Sequence, residues 1–322
     1  MAKDDSNIPL LEDCVSLAGG LGNQLFQLAF GLSQSDGKPL GLEWSLGNPR
    51  LGNDGRPELL QFVLPNNVQL KEHRPVSWLE KKFGNLVLRM SALSLPSQSH
   101  WNAKSIILFL SSYGLRIISW KGVKVLTSKG VGFDPSATTN STPALFIGYF
   151  QSYRWAESAE VLARLKSLYI GNESKWLRDI KELAKNEVPL VIHLRLGDYE
   201  SESAFGTPSK QFYESSAAEL WRTGRFKKIW IFSDDPEGAK KILSKWILDY
   251  SRWIIGDQGS ASSNLEAMRC GAGYVISNST FSWWGAFLSH NDDVRVIVPT
   301  PWFKLAKEPL NIVPKNWIRK PS

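Results

Sequence analysis

Three side chains with chemistry to offer stand close together in Val191–Tyr199, VIHLRLGDY: His193, Arg195 and Asp198. The run opens as an apolar β-type segment, so alternation puts His193 and Arg195 on one face and Leu194 and Leu196 on the other. An arginine at a strand end can grip an oxyanion through two parallel N–H bonds, an imidazole can exchange a proton, and a carboxylate can act as a base or hold the arginine in place. Gly197-Asp198 marks the point where the strand gives way. In an open parallel sheet, ligands collect beyond the carboxyl ends of the strands.

Three further turns are friendly to anions. Cys14–Leu17 is a short apolar run that leads through Ala18-Gly19-Gly20-Leu21-Gly22-Asn23-Gln24 into leucines at 21, 25, 28 and 32, a helical spacing that Gly37 can stop. Glycines there let backbone N–H groups approach a diphosphate at the positive end of a helix; a tight turn without a ligand is the plainer alternative. The string is not G-x-G-x-x-G and lacks a P-loop lysine, which speaks against a dinucleotide fold or a nucleoside triphosphatase, and Glu43 as a ribose-binding acid is then a coincidence of spacing. Ile229–Asp235 ends in two aspartates before Pro236, which suits a first helical position and makes Asp235 the N-cap. Asp234 is left at the strand end to accept hydrogen bonds, for instance from a guanine. Asn278–Ala286, NSTFSWWGA, is a polar turn that opens another helix with hydroxyls and free N–H groups, while its paired tryptophans suit a core. One phosphate-bearing ligand between two domains accounts for all four turns together.

The elements that must position these groups alternate as strand and helix, which argues for parallel sheets flanked by helices. Strands are expected at 14–17, 37–44 and 144–150, with a helix over 156–169, and a domain boundary between 154 and 155 separates residues 1–154 from 155–322. In the second domain, VPLVIHLRL and KKIWIFSDD are strands with a helix around Lys210–Thr223 between them, and a helix runs from Pro236 to Ile247. Ser263 and Glu266 fit a capping box for a short helix, Tyr274–Ser277 and VRVIVPTPWF are strands, and the prolines up to Pro321 suggest an irregular tail. Residues 78–120 are apolar, basic and aromatic. They are read either as helices packed on the first domain or as an amphipathic surface resting on anionic lipid.

With 322 residues there is chain for two cores, and 43% hydrophobic with 21% charged residues is an ordinary globular composition. The net charge of +7 favours an anionic partner without distinguishing nucleic acid, anionic lipid and a phosphate-bearing small molecule. Two cysteines, Cys14 and Cys270, both in apolar settings, indicate no disulfide framework. The start lacks the pattern of a signal peptide and no apolar run reaches the roughly 20 residues of a membrane span, so a cytoplasmic protein is expected, with peripheral contact at the inner face of the membrane as the second reading of residues 78–120.

Taken in order, GGLGNQLFQLAFG at 19–31, GYFQS at 148–152, HLRLGDY at 193–199, FSDD at 232–235 and SNSTFSWWGAFL at 277–288 resemble the α-1,2-fucosyltransferases of glycosyltransferase family 11. The resemblance implies an α/β chain in a GT-B-type arrangement of two Rossmann-like domains facing a cleft, with the second binding GDP-fucose and the first carrying the glycine turn and the acceptor side. It implies inverting, metal-independent transfer of fucose to a galactose-containing glycan, with no cofactor, no metal and no nucleic acid partner. The absence of a D-x-D string agrees, since arginine and backbone dipoles must then neutralise the phosphates. By resemblance, Arg195 grips the β-phosphate, His193 and Asp234 lie near guanine or ribose, Gly20, Gly22 and Asn23 line the diphosphate, and Ser279, Thr280, Phe281 and Ser282 close over the nucleotide. Leu196 departs from the second arginine common in the family, but alternation turns it away from Arg195. For the base, Asp198 comes first, His193 second, and water-assisted attack without a base third. A same-fold transferase with another acceptor, a protein hydroxyl included, and a non-catalytic basic binding protein are the competing readings.

Overall fold

A computed structural model describes residues 12–71, 76–92, 117–120, 123–128, 130–138, 143–197, 206–256, 260–304 and 308–322. The chain forms two compact units, one of residues 1–51, 55–168 and 309–312 and one of residues 52–54, 169–308 and 313–322. The division thus falls between Leu168 and Tyr169, later than the 154/155 boundary expected from sequence. A helix over Ala159–Lys166 stays with the first unit because its buried Val161 and Leu165 face the long glycine-turn helix.

The first unit is built on a six-stranded sheet in the order β3-β2-β1-β6-β5-β4. Its strands are β1 (Asp13–Ser16), β2 (Leu40–Glu43), β3 (Val68–Leu70), β4 (Ile117–Trp120), β5 (Val123–Leu126) and β6 (Ala144–Ile147). All neighbours run parallel except β4 and β5. Its helices are α1 (Leu21–Ser35), α2 (Trp78–Ala92) and α3 (Ala159–Lys166). The leucine spacing that marks α1 is borne out, yet the helix is buried nearly all round: Gln24 and Gln27 are fully enclosed along with Leu25, Phe26, Leu28 and Phe30. Asp36 in the left-handed region and Gly37 after it end the helix where the sequence placed the stop.

The second unit carries a six-stranded sheet in the order β12-β11-β10-β7-β8-β9, parallel throughout. In chain order it holds α4 (Lys175–Glu187), β7 (Pro189–Leu194), α5 (Lys210–Trp221), β8 (Lys228–Ser233), α6 (Pro236–Ile242), α7 (Lys245–Asp249), β9 (Ser251–Trp253), α8 (Ala261–Met268), β10 (Gly273–Val275), α9 (Thr280–Phe287), β11 (Arg295–Thr300) and β12 (Ile318–Pro321). Every residue of β7 is buried, as a central parallel strand covered on both faces requires. Leu190, Ile192, Leu194 and Leu196 point into one core with Phe212, Ile229 and Ile231, so the alternation continues past the strand end. Two such Rossmann-like units in one chain are the pair of α/β domains that a GT-B fold requires.

Three expectations need correction. The expected irregular tail holds for the described residues between β11 and Ile318, but it closes in strand β12, paired with β11 through Arg319 and Lys320; Pro321 is tolerated because an edge strand can spare a donor. The helix expected over 236–247 breaks at Leu243 into α6 and α7. The capping box expected at Ser263 and Glu266 does not form. Ser260 caps α8 instead, its Oγ accepting the N–H of Ser263 at 3.2 Å, which places Ser263 inside the first turn and frees Glu266 for an ion pair with Arg269. Of the 78–120 region, Trp78–Ala92 is α2, residues 93–116 lie outside the described residues, and Ile117–Trp120 is strand β4 and not helix.

Candidate active site in the second unit

In the second unit the chain moves outward from β7 through β8 to β9, then returns to the other side of β7 as β10, β11 and β12. The strand order therefore reverses between β7 and β10. Crossover connections leave in opposite directions at such a point and open a crevice at the strands' carboxyl ends. The sequence sets His193 and Arg195 at the end of β7 and Ser277–Ser282 after β10, so the topology brings two of the candidate segments to that opening.

Arg195 is held there by Asp234. Nη1 of the arginine lies 3.1 Å from Asp234 Oδ2, and both side chains are only partly exposed, at 25% and 22%. The same carboxylate accepts the N–H of Leu196 at 2.9 Å and that of Gly197 at 3.2 Å. Asp234 is thus engaged within the protein, tying the end of β8 to the segment after β7, where the sequence had left it to meet a guanine. A carboxylate has about four lone-pair positions, so this engagement fixes the aspartate while leaving it acceptor capacity. Asp235 next to it caps α6, accepting the N–H of Gly238 at 2.9 Å with Pro236 in the first turn, as the sequence indicated.

His193 is 6% exposed, and its Nδ1 lies 3.0 Å from Ser277 Oγ across the β7–β10 reversal. Burial first, and then the positive charge of Arg195, push its pKa down to about 3 against the opposing pull of Asp234. The imidazole is neutral at physiological pH, a hydrogen-bonding group and a poor proton acceptor. Its ring centroid is 6.3 Å from that of Phe281, on the first turn of α9. Ser279 caps that helix in extended conformation without a side-chain hydrogen bond to its first turn. The N–H groups that open an α-helix have no intrahelical partner, and there they carry partial positive charge. Behind them, Trp283 and Trp284 are fully buried and meet edge to face at 4.7 Å, so the tryptophans fill the core; Ser279 and Ser282 are buried too, and Thr280 and Phe281 are partly exposed. Asp198 lies outside the described residues.

The glycine turn of the first unit, where the sequence sets Gly20, Gly22 and Asn23, is hydrogen-bonded within the protein. Gly19 has φ +69°, and a Cβ there would come 2.6 Å from Asn23 Nδ2. The first N–H of α1, on Leu21, donates to Glu58 Oε2 at 2.7 Å, so an internal carboxylate occupies the end of the helix dipole. Burial lifts the Glu58 carboxyl above its usual range, opposed by that N–H and by Arg50. Asn23 Oδ1 accepts from Gln151 Nε2 at 2.9 Å, and Gly22 is buried within α1. Gln24 donates to the carbonyls of Gly19 and Arg50 and accepts the N–H of Leu59, while Gln27 bridges the N–H of Ala18 and the carbonyl of Gly148. The glycine-turn and GYFQS motifs are therefore one hydrogen-bonded assembly. Gln24 and Gln27, set among Leu25, Phe26, Leu28 and Phe30 in α1, were the available signal for it. Glu43 spends its carboxylate on the N–H groups of Ser45 and Leu46, a local turn as its lack of a dinucleotide motif implied.

Residues 127–320, more than half of the chain, match the profile of glycosyl transferase family 11. The chain belongs to glycosyl transferase family 11. Four of the five motifs, all but the glycine turn, fall inside the matched residues. An α-1,2-colitosyltransferase of Escherichia coli is 25% identical over 316 residues, covering 94% of this chain and 97% of that protein. The O-antigen biosynthesis glycosyltransferase WbnK of Escherichia coli is 25% identical over 130 residues, 38% of this chain and 42% of that protein. Among solved structures, fucosyltransferase NodZ from Bradyrhizobium aligns over 86% of this chain and 93% of its own, at 11% identity and a TM-score of 0.46. Family membership makes the chain a glycosyltransferase and sets aside a purely binding role. No described helix is long and apolar enough to cross a membrane.

Proposed function

We propose that this family 11 enzyme transfers L-fucose from GDP-β-L-fucose to a hydroxyl of a galactoside, with inversion and without a metal ion, forming an α-1,2 linkage in a glycan or surface polysaccharide. The observation that carries this reading is the arginine at the β7–β10 reversal, aimed by Asp234, just past the strand whose His193 ring lies 6.3 Å from Phe281 in the first turn of α9. In the proposed reaction the acceptor oxygen attacks the anomeric carbon as the bond to the β-phosphate oxygen breaks. Arg195 and the N–H groups at Ser279–Ser282 take up the charge growing on departing GDP. Neutral His193 supplies a hydrogen bond near the nucleotide, and Asp198 is the assigned base for the acceptor proton. With Glu58 at the first turn of α1, the diphosphate is assigned to α9 and not to Gly20, Gly22 and Asn23.

A relative that covers almost the whole chain is named for colitose, a sugar that lacks the 3-hydroxyl of fucose, and this favours a second reading in which the same α-1,2 transfer uses that donor. Thermal unfolding with GDP tests the shared part: saturation at 100 times the dissociation constant should stabilise the protein by about 2.7 kcal/mol. A melting curve unmoved by GDP would remove both readings. Supplying each donor in turn to a panel of galactosides, with linkage analysis of the products, separates fucose from colitose. Turnover abolished by EDTA would reject the metal-free reaction.

A further inference from the structure

Helix α2, on the first unit, has two sides of opposite chemistry. Its start is fixed by a capping box: Ser77 Oγ accepts the N–H of Glu80 at 3.3 Å, and Glu80 Oε2 accepts the N–H of Ser77 at 2.8 Å. Glu80 is the one acid in the helix and is only 3% exposed, so the box turns the helix's negative charge inward. The inner side is spent on the core, where Val87, Leu88 and the half-buried Phe83 pack with Leu46, Val125 and Leu145. Gly84 permits the close approach, since a Cβ there would come 2.6 Å from the carbonyl oxygen of Leu46.

The outer side interleaves large apolar groups with cations. Trp78, Lys82, Leu86 and Arg89 recur at helical spacing along one face, and Leu79 and Lys81 flank them. Trp78 is 65% exposed, Leu79 61% and Leu86 44%. Lys82 Nζ sits 3.7 Å from the centre of the Trp78 ring, its charge lying over the aromatic face. Such a face lies in the plane of a headgroup layer, apolar side chains entering it and cations meeting lipid phosphates.

We propose that this outer face of α2 docks the protein on an anionic bilayer surface. Charge decides the occupant. A second copy of the chain packed about a two-fold axis would bring Lys81, Lys82 and Arg89 against the same cations, whereas an anionic lipid surface neutralises all three and accommodates Trp78, Leu79 and Leu86 at once. Docking of this kind involves α2 alone and is independent of the reaction assigned to the second unit.

Co-sedimentation of the full chain with vesicles tests it. The wild-type protein should pellet with vesicles of phosphatidylcholine containing about one-third phosphatidylglycerol, should stay in solution with pure phosphatidylcholine, and should be released as salt rises. The triple variant K81E/K82E/R89E should bind the anionic vesicles at least 100-fold more weakly, given roughly fivefold per cation lost and repulsion from each added acid. W78S/L86S should lose about tenfold. Both variants should melt with the wild type, because the changed side chains lie on the exposed face. Wild-type protein that ignores anionic vesicles, or a triple variant that pellets as well as the wild type, overturns the proposal. So does a wild-type dimer in solution that the variants abolish, which would assign the face to a second copy.

Discussion

Asp234 Oδ2 lies 3.1 Å from Arg195 Nη1, and the same carboxylate accepts the backbone N–H groups of the two residues that follow the arginine. One side chain therefore sets both the direction of the guanidinium and the course of the chain past β7. Arg195→Ala should lower turnover by roughly 100-fold or more, the scale of losing one donor that meets charge growing in the transition state. Arg195→Lys should recover only part of this, since an ammonium lacks the planar fork that spans two phosphate oxygens. Steady-state rates at saturating donor decide it. An alanine variant within threefold of wild type would mean that the arginine serves the fold.

Asp234 pairs with Arg195, and a role exerted through that pair predicts a measurable coupling between them. Asp234→Asn keeps an acceptor oxygen but removes the charge that holds the guanidinium, and kcat/KM should fall about tenfold. The double variant R195A/D234N should then be no slower than R195A, within a factor of two, because residues in one hydrogen-bonded unit do not add. Independent losses that multiply would give Asp234 its own contact with the substrate.

The parts of this site that can be read in the sequence are those governed by local periodicity. The two-residue alternation of a strand separates Arg195 from Leu196 without any structure, and Pro236 after two aspartates identifies Asp235 as a cap. Partnerships across long loops leave no such trace: Asp234 meets Leu196 across 38 residues, and Gln27 meets Gly148 across 121. Where sequence misleads, two local signals compete. Ser263 and Glu266 have the spacing of a capping box, but Ser260 lies one turn earlier and takes the cap. Proline argues against a strand in general, yet β12 at the sheet edge accepts Pro321. The glycine turn has the composition of an anion site, and nothing local reveals that Glu58 accepts the first N–H of its helix.

That hydrogen bond separates neighbouring glycines. Gly20 has ordinary φ, and a Cβ there would approach nothing nearer than 3.9 Å, whereas Gly19 at φ +69° has no room beside Asn23. Gly20→Ala should leave both stability and GDP affinity within experimental error. Gly19→Ala should cost about 1–2 kcal/mol from the left-handed conformation alone. Glu58→Ala should cost about 1–3 kcal/mol by stranding the Leu21 N–H, and Glu58→Gln less, because an amide oxygen can still accept. Denaturant unfolding and GDP titration on these four variants provide the check. A Gly20→Ala enzyme that folds normally but binds GDP tenfold more weakly would return the diphosphate to α1.

Acid should find its weak point in the second unit at Glu266, which is 2% exposed and bonded to Arg269, Lys181 and His290. Burial by itself would raise this carboxyl, but His290, Arg269 and Lys181 together outweigh it and hold the pKa at about 2. A carboxyl whose pKa is lower in the folded state than in the unfolded chain stabilises the fold above the unfolded value, near 4.3, and loses that contribution as pH falls toward the folded one. The shift corresponds to roughly 3 kcal/mol, so the unfolding free energy should drop by about that much between pH 5 and pH 2 on account of this group. Glu266→Gln should flatten that part of the profile. It should also lower stability at neutral pH by about 3–5 kcal/mol, because Arg269, itself 1% exposed, keeps its charge without its counterion. Denaturant midpoints measured every half pH unit on both proteins decide the matter. Parallel acid profiles would show that the loss below pH 5 comes from carboxylates elsewhere.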